Sequence, residues 1–574
     1  MSRTKSRTAL FAALGLVAAT GATATALSTA TAGAAAAGCK VDYQIASQWN
    51  TGFTANVVVT NLGDPVNAWT LGWSYGGDQK VTQGWNADIS QTGAAVTAKN
   101  LSYNGTLATD GSTSFGFNAT YSGTNAVPAT FTLNGVACTG SVPTTPPTTP
   151  PTTPPPAGTK ADNPYAGARV YVNPEWSANA AAEPGGTRVS NQPTGIWVDR
   201  IAAIDGANGG MGVRAHLDEA LRQKGDGELV VQFVIYNLPG RDCAALSSNG
   251  ELGPTEIGTY ETQYIDPIAA ILSDPKYASL RIVTTVELDS LPNLVTNVSG
   301  RPTATPNCDV MKSNGNYIKG VGYALKKLGA IPNVYNYLDA GHHGWLGWDD
   351  NFGPSAELFK TAATAEGSTL ANVTGFIVNT ANYSALKEDH FTINDTVNGT
   401  TVRQSTWVDW NRYTDELSYA QAMRDKLVSI GFDPKIGMLI DTSRNGWGGT
   451  ARPTGPGATT DVNTYVDGGR YDRRINPGNW CNQAGAGLGE RPKAAPEPGI
   501  DAYVWMKPPG ESDGASSEIP NDEGKGFDRM CDPTYTGNPR NNNNLSGALP
   551  NSPLSGKWFS AQFQELMKNA YPAL

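Results

Sequence analysis

The chain has 574 residues, a formal net charge of −10 and only 16% charged residues. A chain of this length is too long for a single hydrophobic core and predicts two or more domains. The negative net charge, together with the absence of a basic run, argues against nucleic acid or an anionic membrane surface as a partner.

Residues 1–37 are predicted to be a signal peptide rather than part of a folded domain. Arg3, Lys5 and Arg7 precede an apolar run from Ala9 to Ala19, and small-residue cleavage sites follow. No later stretch is apolar and long enough to span a membrane. We therefore expect a secreted, soluble, extracellular protein, in a compartment where its six cysteines form disulfides.

Residues 140–160 are predicted to be a linker between two domains. They contain the run SVPTTPPTTPPTTPPPA, which cannot bury a core and favours an extended polyproline form. The linker separates a small domain, residues 38–139, from a large one, residues 161–574. In the small domain, short alternating runs such as FTANVVVTNLG and STSFGFNATY predict an all-β antiparallel sandwich. A bridge between Cys39 and Cys138, its only cysteines, would close that sandwich.

The aromatic residues of the small domain fall into two groups. Trp69 and Trp73 alternate along one strand and are expected in the core. Trp49, Trp85 and Tyr103 each precede an Asn in a turn-like context, where a large ring is hard to bury. Three exposed rings on one face indicate a binding surface, and a flat strip of rings suits the CH faces of a polysaccharide. The alternative is that one or two of these rings pack under loops.

The span from CKVDYQIASQWNTGFTANVVVTN to FTLNGVAC resembles the bacterial family 2 carbohydrate-binding modules of the cellulose-binding type. The resemblance implies that Trp49, Trp85 and Tyr103 contact crystalline cellulose. Tyr103 stands where that family more often has Trp, which implies weaker or shifted binding.

The large domain alternates apolar runs, such as ELVVQFVIY, RIVTTVEL and KIGMLIDTS, with helical stretches, which predicts a parallel α/β sheet. A carboxylate follows four of the strands, namely Asp242, Asp289, Asp339 and Asp513. Ligands bind at the carboxyl ends of such strands, although Asp289 could instead cap a helix. Together with interleaved tryptophans, these residues predict an acidic cleft with aromatic walls, formed by Trp345, Trp348, Trp447, Trp480 and Trp505.

Several other kinds of site are not indicated. The sequence contains no nucleophile elbow, no CxxC pair and no HExxH helix, and the adjacent His342 and His343 would point in different directions. We therefore expect neither a metal nor a cofactor. Carboxylate pairs beside sugar-stacking rings favour glycoside hydrolysis.

Four motifs in order, YNLPGRDCAALSSNGE, VELDSLPNLVTN, LDAGHHGWLGW and WMKPPGESDG, resemble glycoside hydrolase family 6, the inverting cellulases. The resemblance implies a distorted (β/α) barrel with about seven strands. It also implies that Asp289 is the general acid, that Asp242 helps to keep Asp289 protonated, and that Asp513 is the candidate base. We expect Lys507 and Arg241 to hold Asp513 ionised, and inversion requires carboxyls roughly 6.5–9.5 Å apart.

Two alternatives remain open for Asp513. It could form a structural salt bridge, and a water chain through Ser248 towards Asp242 could supply the base. The resemblance further implies a set of substrate-binding residues, namely Tyr236 beneath the reacting sugar, Trp176, Trp345, Trp348 and Trp480 as stacking rings, and Ser248, Asp339, His342, Lys507 and Glu511 as polar contacts. Each Trp could instead pack in the core.

The resemblance also implies the disulfides Cys243–Cys308 and Cys481–Cys531, whereas sequence order alone allows three connectivities. Three long irregular stretches, 383–409, 448–478 and 514–553, predict loops that roof the cleft. We therefore expect a monomeric cellobiohydrolase that binds a cellulose chain and releases cellobiose from its non-reducing end. The alternatives are an endoglucanase with an open groove and a non-catalytic protein that only binds glycan.

Overall fold

A computed structural model describes residues 38–49, 51–102, 104–109, 111–138, 160–207 and 209–574. The chain divides into two compact units, Met1–Pro154 and Pro155–Leu574. The predicted signal peptide and nearly all of the predicted linker lie outside the described residues. In the described part of the chain, no helix is both long and apolar enough to cross a membrane.

The small unit is an antiparallel β-sandwich, as predicted. Its strands are β1 (Cys39–Trp49), β2 (Gly52–Asn61), β3 (Thr70–Ser74), β4 (Lys80–Trp85), β5 (Asp88–Thr92), β6 (Ala95–Lys99), β7 (Ser112–Thr120), β8 (Phe131–Leu133) and β9 (Val136–Ala137). One sheet has the order β1-β2-β7-β4 and the other β5-β6-β3-β8-β9. Trp69 and Trp73 are buried between the sheets, where both stack on Phe115, and the disulfide Cys39–Cys138 joins the two ends of the unit.

The large unit is built on a curled, mostly parallel sheet. The strands are β10 (Ala168–Val170), β11 (Ile196–Val198), β12 (Glu228–Ile235), β13 (Arg281–Val286), β14 (Val334–Asp339), β15 (Gly375–Val378), β16 (Thr396–Val397), β17 (Thr400–Thr401), β18 (Gly437–Asp441), β19 (Lys493–Glu497) and β20 (Ile500–Val504). The order is β10-β12-β13-β14-β15-β18-β20-β19, and β16 and β17 form a separate hairpin. Only β19 runs antiparallel to its neighbour in this order.

The number of parallel strand positions agrees with a distorted barrel. Both β10 and β11 pair with β12, at its beginning and at its end, so they share one position beside it. Within the described residues, this arrangement leaves seven parallel positions from β10/β11 to β20. The seam between β11 and β20 is bridged by hydrogen bonds from Gly195 N to Trp505 O (3.0 Å) and from Trp197 Nε1 to Met506 O (2.9 Å).

The helices of the large unit are α1 (Pro174–Ala182), α2 (Val213–Lys224), α3 (Ile257–Thr259), α4 (Asp266–Leu272), α5 (Asn293–Thr296), α6 (Pro306–Asn314), α7 (Asn316–Gly329), α8 (His343–Leu346), α9 (Asp349–Ala363), α10 (Glu416–Ser429), α11 (Val462–Gly469) and α12 (Ser560–Lys568), with a π-helical segment, Tyr260–Ile265, between α3 and α4. Most of them pack on the outside of the sheet, whereas α1 and α12 share a second apolar cluster and α11 belongs to a third.

The sheet is apolar on both faces, which explains the continuous apolar runs in the sequence. In β12, Val231 and Phe233 face the helices, whereas Val230 and Val234 face the inside of the barrel. Parallel strands covered on both sides bury alternate side chains in two separate cores. Because the parallel strands of this sheet run the same way, their carboxyl ends meet at one edge. The polar residues that follow these parallel strands gather at that edge.

Candidate active site

A cavity of about 380 Å³ lies at the carboxyl ends of the strands. The structure brings together there most of the predicted catalytic and substrate-binding residues, namely Tyr236, Asp242, Ser248, Asp289, Asp339, His342, Trp345, Trp348, Trp480, Lys507 and Asp513. Trp176 and Glu511 line a neighbouring cavity of about 290 Å³, which shares Trp197 and Ser555 with the first. The two cavities therefore form adjoining parts of one cleft.

Asp289 lies in the turn after β13, where it adopts a left-handed backbone with φ +52°. Its backbone N–H donates to Asp339 Oδ2 (3.2 Å), so the turn that carries Asp289 is bonded to the end of β14. Burial raises the pKa of Asp289 well above its usual range, and the nearby charges of Asp242, Asp339 and Asp513 raise this pKa further. A carboxyl held protonated beside other carboxyls is suited to donate a proton.

Asp242 is held in a tight loop after β12. It also has a positive φ, +49°, and its Oδ2 accepts a short hydrogen bond from Ser248 Oγ. The disulfide Cys243–Cys308 ties the residue after Asp242 to α6, so this loop has little freedom. Burial raises the pKa of Asp242, and the hydrogen bond from Ser248 opposes that effect.

Asp513 forms an ion pair with Arg444, a cation that the sequence analysis did not single out. Arg444 Nη1 lies 2.8 Å from both of its carboxylate oxygens, and Tyr383 OH (2.7 Å) and Asn482 N (2.8 Å) donate to Oδ2. The expectation that Arg241 is a partner of Asp513 is wrong.

Arg241 instead donates to backbone carbonyls, among them those of Asp199 (2.7 Å) and Ser248 (2.8 Å), and lies 4.1 Å from the ring centre of Tyr236. Its planar guanidinium suits several carbonyls at once. Lys507 Nζ donates to Ser512 O (3.3 Å), and burial lowers the pKa of Lys507 while the charge of Asp513 opposes this effect.

The tryptophans separate into cleft and core residues. Trp345, Trp348 and Trp480 are half-buried and line the cavity. The prediction that Trp447 and Trp505 form cleft walls is wrong, because both are 0% exposed in an apolar cluster.

The indole N–H groups of both core tryptophans are bonded inside the protein, to Tyr383 O (2.6 Å) and Glu490 O (3.0 Å). Trp176 is only 2% exposed and packs edge-to-face on Trp505 and Phe563, so its role in stacking stays a prediction.

A buried arginine that was not singled out in the sequence organises one wall of the cleft. Arg474 pairs with Asp472 (2.5 Å) and donates to Asn382 Oδ1 (2.8 Å) and Ser384 Oγ (2.9 Å). Because Asn382 Oδ1 accepts this bond, Asn382 Nδ2 donates to His342 Nε2 (3.0 Å). His342 is therefore held neutral, with its proton on Nδ1, and burial and the charge of Arg474 lower its pKa.

Arg444 and Asn382 follow strands β18 and β15, so the rule that located the four aspartates also predicts these positions. Glu511 lies in the neighbouring cavity, and burial raises its pKa to about 7. In the described parts of the chain, no group of three or more His, Cys, Asp or Glu side chains is arranged to hold a metal ion.

The predicted loop 514–553 lies beside the cavity and contacts two other loops. On one side, Gly526 N donates to Leu246 O (2.9 Å), in the loop after β12. On the other side, Asn541 Nδ2 donates to Asn479 Oδ1 (2.8 Å). Between these two contacts, Arg540 lines the cavity.

The other two long stretches share a small apolar core. Phe391, Val402 and Trp407 from residues 383–409 pack with Val462 and Val466 from α11. Such packing gives these loops a defined shape at the rim of the cleft.

In the small unit, Trp85 is 38% exposed at the end of β4. Its ring lies on the backbone of Gly116, where a Cβ atom would approach Cζ2 of Trp85 to 2.4 Å, so glycine is needed for this flat contact. One face of the ring is thereby fixed and the other is left open. The side chain of Trp49 and all of Tyr103 lie outside the described residues.

Comparisons with known families match both units. The family model described as "Glycosyl hydrolases family 6" matches residues 161–570, and the one described as "Cellulose binding domain" matches residues 39–138. The chain is 51% identical over 438 residues to Exoglucanase A of Cellulomonas fimi, which covers 73% of this chain and 49% of that protein. The chain thus spans about half the length of this relative.

Two further comparisons agree. A probable 1,4-beta-D-glucan cellobiohydrolase C of Aspergillus fumigatus is 35% identical over 72% of this chain and 78% of its own length. The solved catalytic domain of Cellulomonas fimi Cel6B aligns with a TM-score of 0.69 and 50% identity, covering 73% of this chain and 97% of that structure. The chain therefore belongs to glycosyl hydrolase family 6, with an amino-terminal unit of the cellulose binding domain family.

Proposed function

We propose that this chain is a secreted, monomeric cellobiohydrolase that hydrolyses β-1,4-glucosidic bonds with inversion and releases cellobiose from the non-reducing end of cellulose. The large unit holds a single glucan chain in its cleft, and the small unit binds the crystalline surface. Three disulfides support an oxidising, extracellular location, and the named relatives act as exoglucanases and cellobiohydrolases.

The observation that carries this proposal is the position of Asp289 in one cavity with three other carboxylates, whose charges raise its pKa together with burial. Asp289 protonates the leaving glycosidic oxygen, and Asp242 keeps that proton in place until the bond breaks. Tyr236, beneath the reacting sugar, has the Arg241 guanidinium 4.1 Å from its ring centre and packs edge-to-face with Trp197 at 5.6 Å, and these contacts fix the position of its ring.

Asp513 is proposed as the base that accepts a proton from the attacking water. Its Oδ1 accepts a hydrogen bond only from Arg444 among the described residues, which leaves room for a water molecule. Three donors already occupy Oδ2. The alternative base is Asp242, reached by water through Ser248.

The exo mode of action is supported by the rim of the cleft. Residues 514–553 contact both sides of it, and the disulfide Cys481–Cys531 anchors this segment. A roofed cleft admits a chain from its end rather than from its middle.

Product analysis on amorphous cellulose tests this function. Soluble sugars are separated from insoluble reducing ends over time. Almost pure cellobiose with few insoluble ends is the expected result. Mixed oligomers with many insoluble ends would make the protein an endoglucanase, and binding without any sugar release would leave only a glycan-binding role.

A further inference from the structure

We propose that Trp410 is an additional sugar-binding residue outside the cleft, which stacks on a pyranose ring of the incoming glucan chain beyond Trp348. The proposal rests on the proposed cellulase function. It extends the aromatic wall of the cleft by one ring onto the protein surface.

Trp410 is unusually exposed for a tryptophan of this protein. It is 56% exposed, more than any other large apolar side chain among the described residues, whereas Trp447 and Trp505 are 0% exposed. A large aromatic ring left in water is unfavourable unless something covers it, so an exposed tryptophan indicates a binding surface.

The exposure is held by the backbone rather than by a loose loop. Asp409 and Trp410 are consecutive non-glycine residues in the left-handed region, with φ +46° and +66°. This conformation costs energy at each residue and persists only where its surroundings impose it. Arg403 holds Trp410 in this conformation through two hydrogen bonds. The Arg403 carbonyl accepts one from Trp410 N (2.6 Å), and Arg403 Nη2 donates one to Trp410 O (2.7 Å).

The strained turn is built directly on the wall of the cleft. The Asp409 carbonyl accepts a hydrogen bond from Trp348 Nε1 (2.7 Å), and Trp348 lines the cavity. The next residue along the turn is Trp410. Arg412 pairs with Asp349 (2.6 Å), the residue after Trp348, and fixes the turn a second time. The backbone of Trp410 therefore begins next to the indole N–H of Trp348, so a glucan chain that leaves the cleft past Trp348 would meet the exposed ring of Trp410.

The test compares Trp410→Ala and Trp410→Phe with the unaltered full-length protein on two substrates. Cellotetraose has only four sugar units and is used as the short substrate, whereas chains of amorphous cellulose continue well past the cleft. We expect Trp410→Ala to lower the rate on amorphous cellulose by about threefold to tenfold and to leave kcat/KM for cellotetraose unchanged. Trp410→Phe, which keeps an aromatic ring, is expected to retain most of the rate on amorphous cellulose.

Two outcomes would overturn the proposal. An unchanged rate on both substrates would show that no sugar contacts the ring. An equal loss on both substrates would show that the turn only supports Trp348. Failure of the proposed function itself is distinguishable, because the unaltered protein would then release no cellobiose.

Discussion

Arg444 and Asp513 form an ion pair at the base of the cleft in which the two side chains are only 0% and 5% exposed. The guanidinium also lies 4.1 Å from the ring centre of Tyr383, whose hydroxyl donates to the same carboxylate. Both charges are largely removed from solvent and depend on each other, because an unpaired buried charge is costly. The pair thus links the stability of the large unit to the position of the candidate base.

Replacement of Arg444 by Met is expected to lower the free energy of unfolding of the large unit by about 3–5 kcal/mol, because Asp513 is left without its partner. Denaturant unfolding of the full chain measures this change. The exposed pair Arg412–Asp349, with side chains 49% and 68% exposed, provides a control, and Arg412→Met is expected to change the free energy of unfolding far less. Equal costs for the two variants would contradict the role of burial.

Asp242→Asn is expected to shift the alkaline limb of the kcat profile to lower pH. Asp289 is active when protonated, so activity falls as the pH rises through its raised pKa. Removing the negative charge of Asp242 lowers that pKa, so the alkaline limb moves to lower pH. Asp425→Asn, at a side chain 82% exposed, provides the control and leaves the limb in place. A limb that stays fixed in Asp242→Asn would rule out this coupling.

Two substrates whose leaving groups differ in their need for a proton distinguish the role of the acid from that of the base. Asp289→Asn is expected to abolish cellulose hydrolysis, by about 10²-fold to 10⁴-fold, yet to retain activity on an aryl cellobioside whose leaving group needs no proton. Asp513→Asn is expected to lose activity on both substrates, because water still requires a base. Initial rates on both substrates measure this. Survival of cellulose hydrolysis in Asp289→Asn would refute the assignment of the acid, and a larger loss in Ser248→Ala than in Asp513→Asn would favour the water chain.

Removal of the disulfide Cys481–Cys531, by replacing both residues with Ser, is expected to loosen residues 514–553, which we propose roof the cleft. The bond spans 50 residues of sequence, so the loss of stability reaches about 4 kcal/mol. We also expect a larger fraction of insoluble reducing ends from amorphous cellulose. The matched control replaces Cys39 and Cys138 with Ser, which leaves the product pattern unchanged. An unchanged pattern in both variants would mean that this segment does not control chain entry.

Trp85→Ala is expected to weaken adsorption to crystalline cellulose without changing the hydrolysis of soluble oligosaccharides. The ring is fixed on Gly116 and offers one open face, so its removal deletes a contact and leaves the buried core intact. Depletion of protein from solution over microcrystalline cellulose measures adsorption. Trp69→Phe tests the opposite case, because that ring is buried and its loss affects the stability of the unit. Adsorption equal to that of the unaltered protein would remove Trp85 from the binding surface.

The sequence by itself determined the strands and the polar residues that follow them. The continuous apolar character of runs such as ELVVQFVIY reflects two buried faces, and parallel strands place whatever follows them at one edge. The local pattern alone therefore predicts that four carboxylates lie at one edge of the sheet, namely Asp242, Asp289, Asp339 and Asp513. The motifs of the family added their expected roles and the pairing of the cysteines.

Only the tertiary structure decided which side chains contact each other across long separations in the chain. Arg444 lies 69 residues from Asp513, and Arg474 lies 92 residues from Asn382, so no spacing rule connects them. The same holds for Trp447 and Trp410, since both follow polar or glycine-rich stretches but one is 0% exposed and the other 56%. Burial of a ring and pairing of a charge depend on what other segments bring to the same place, and that is a property of the folded chain.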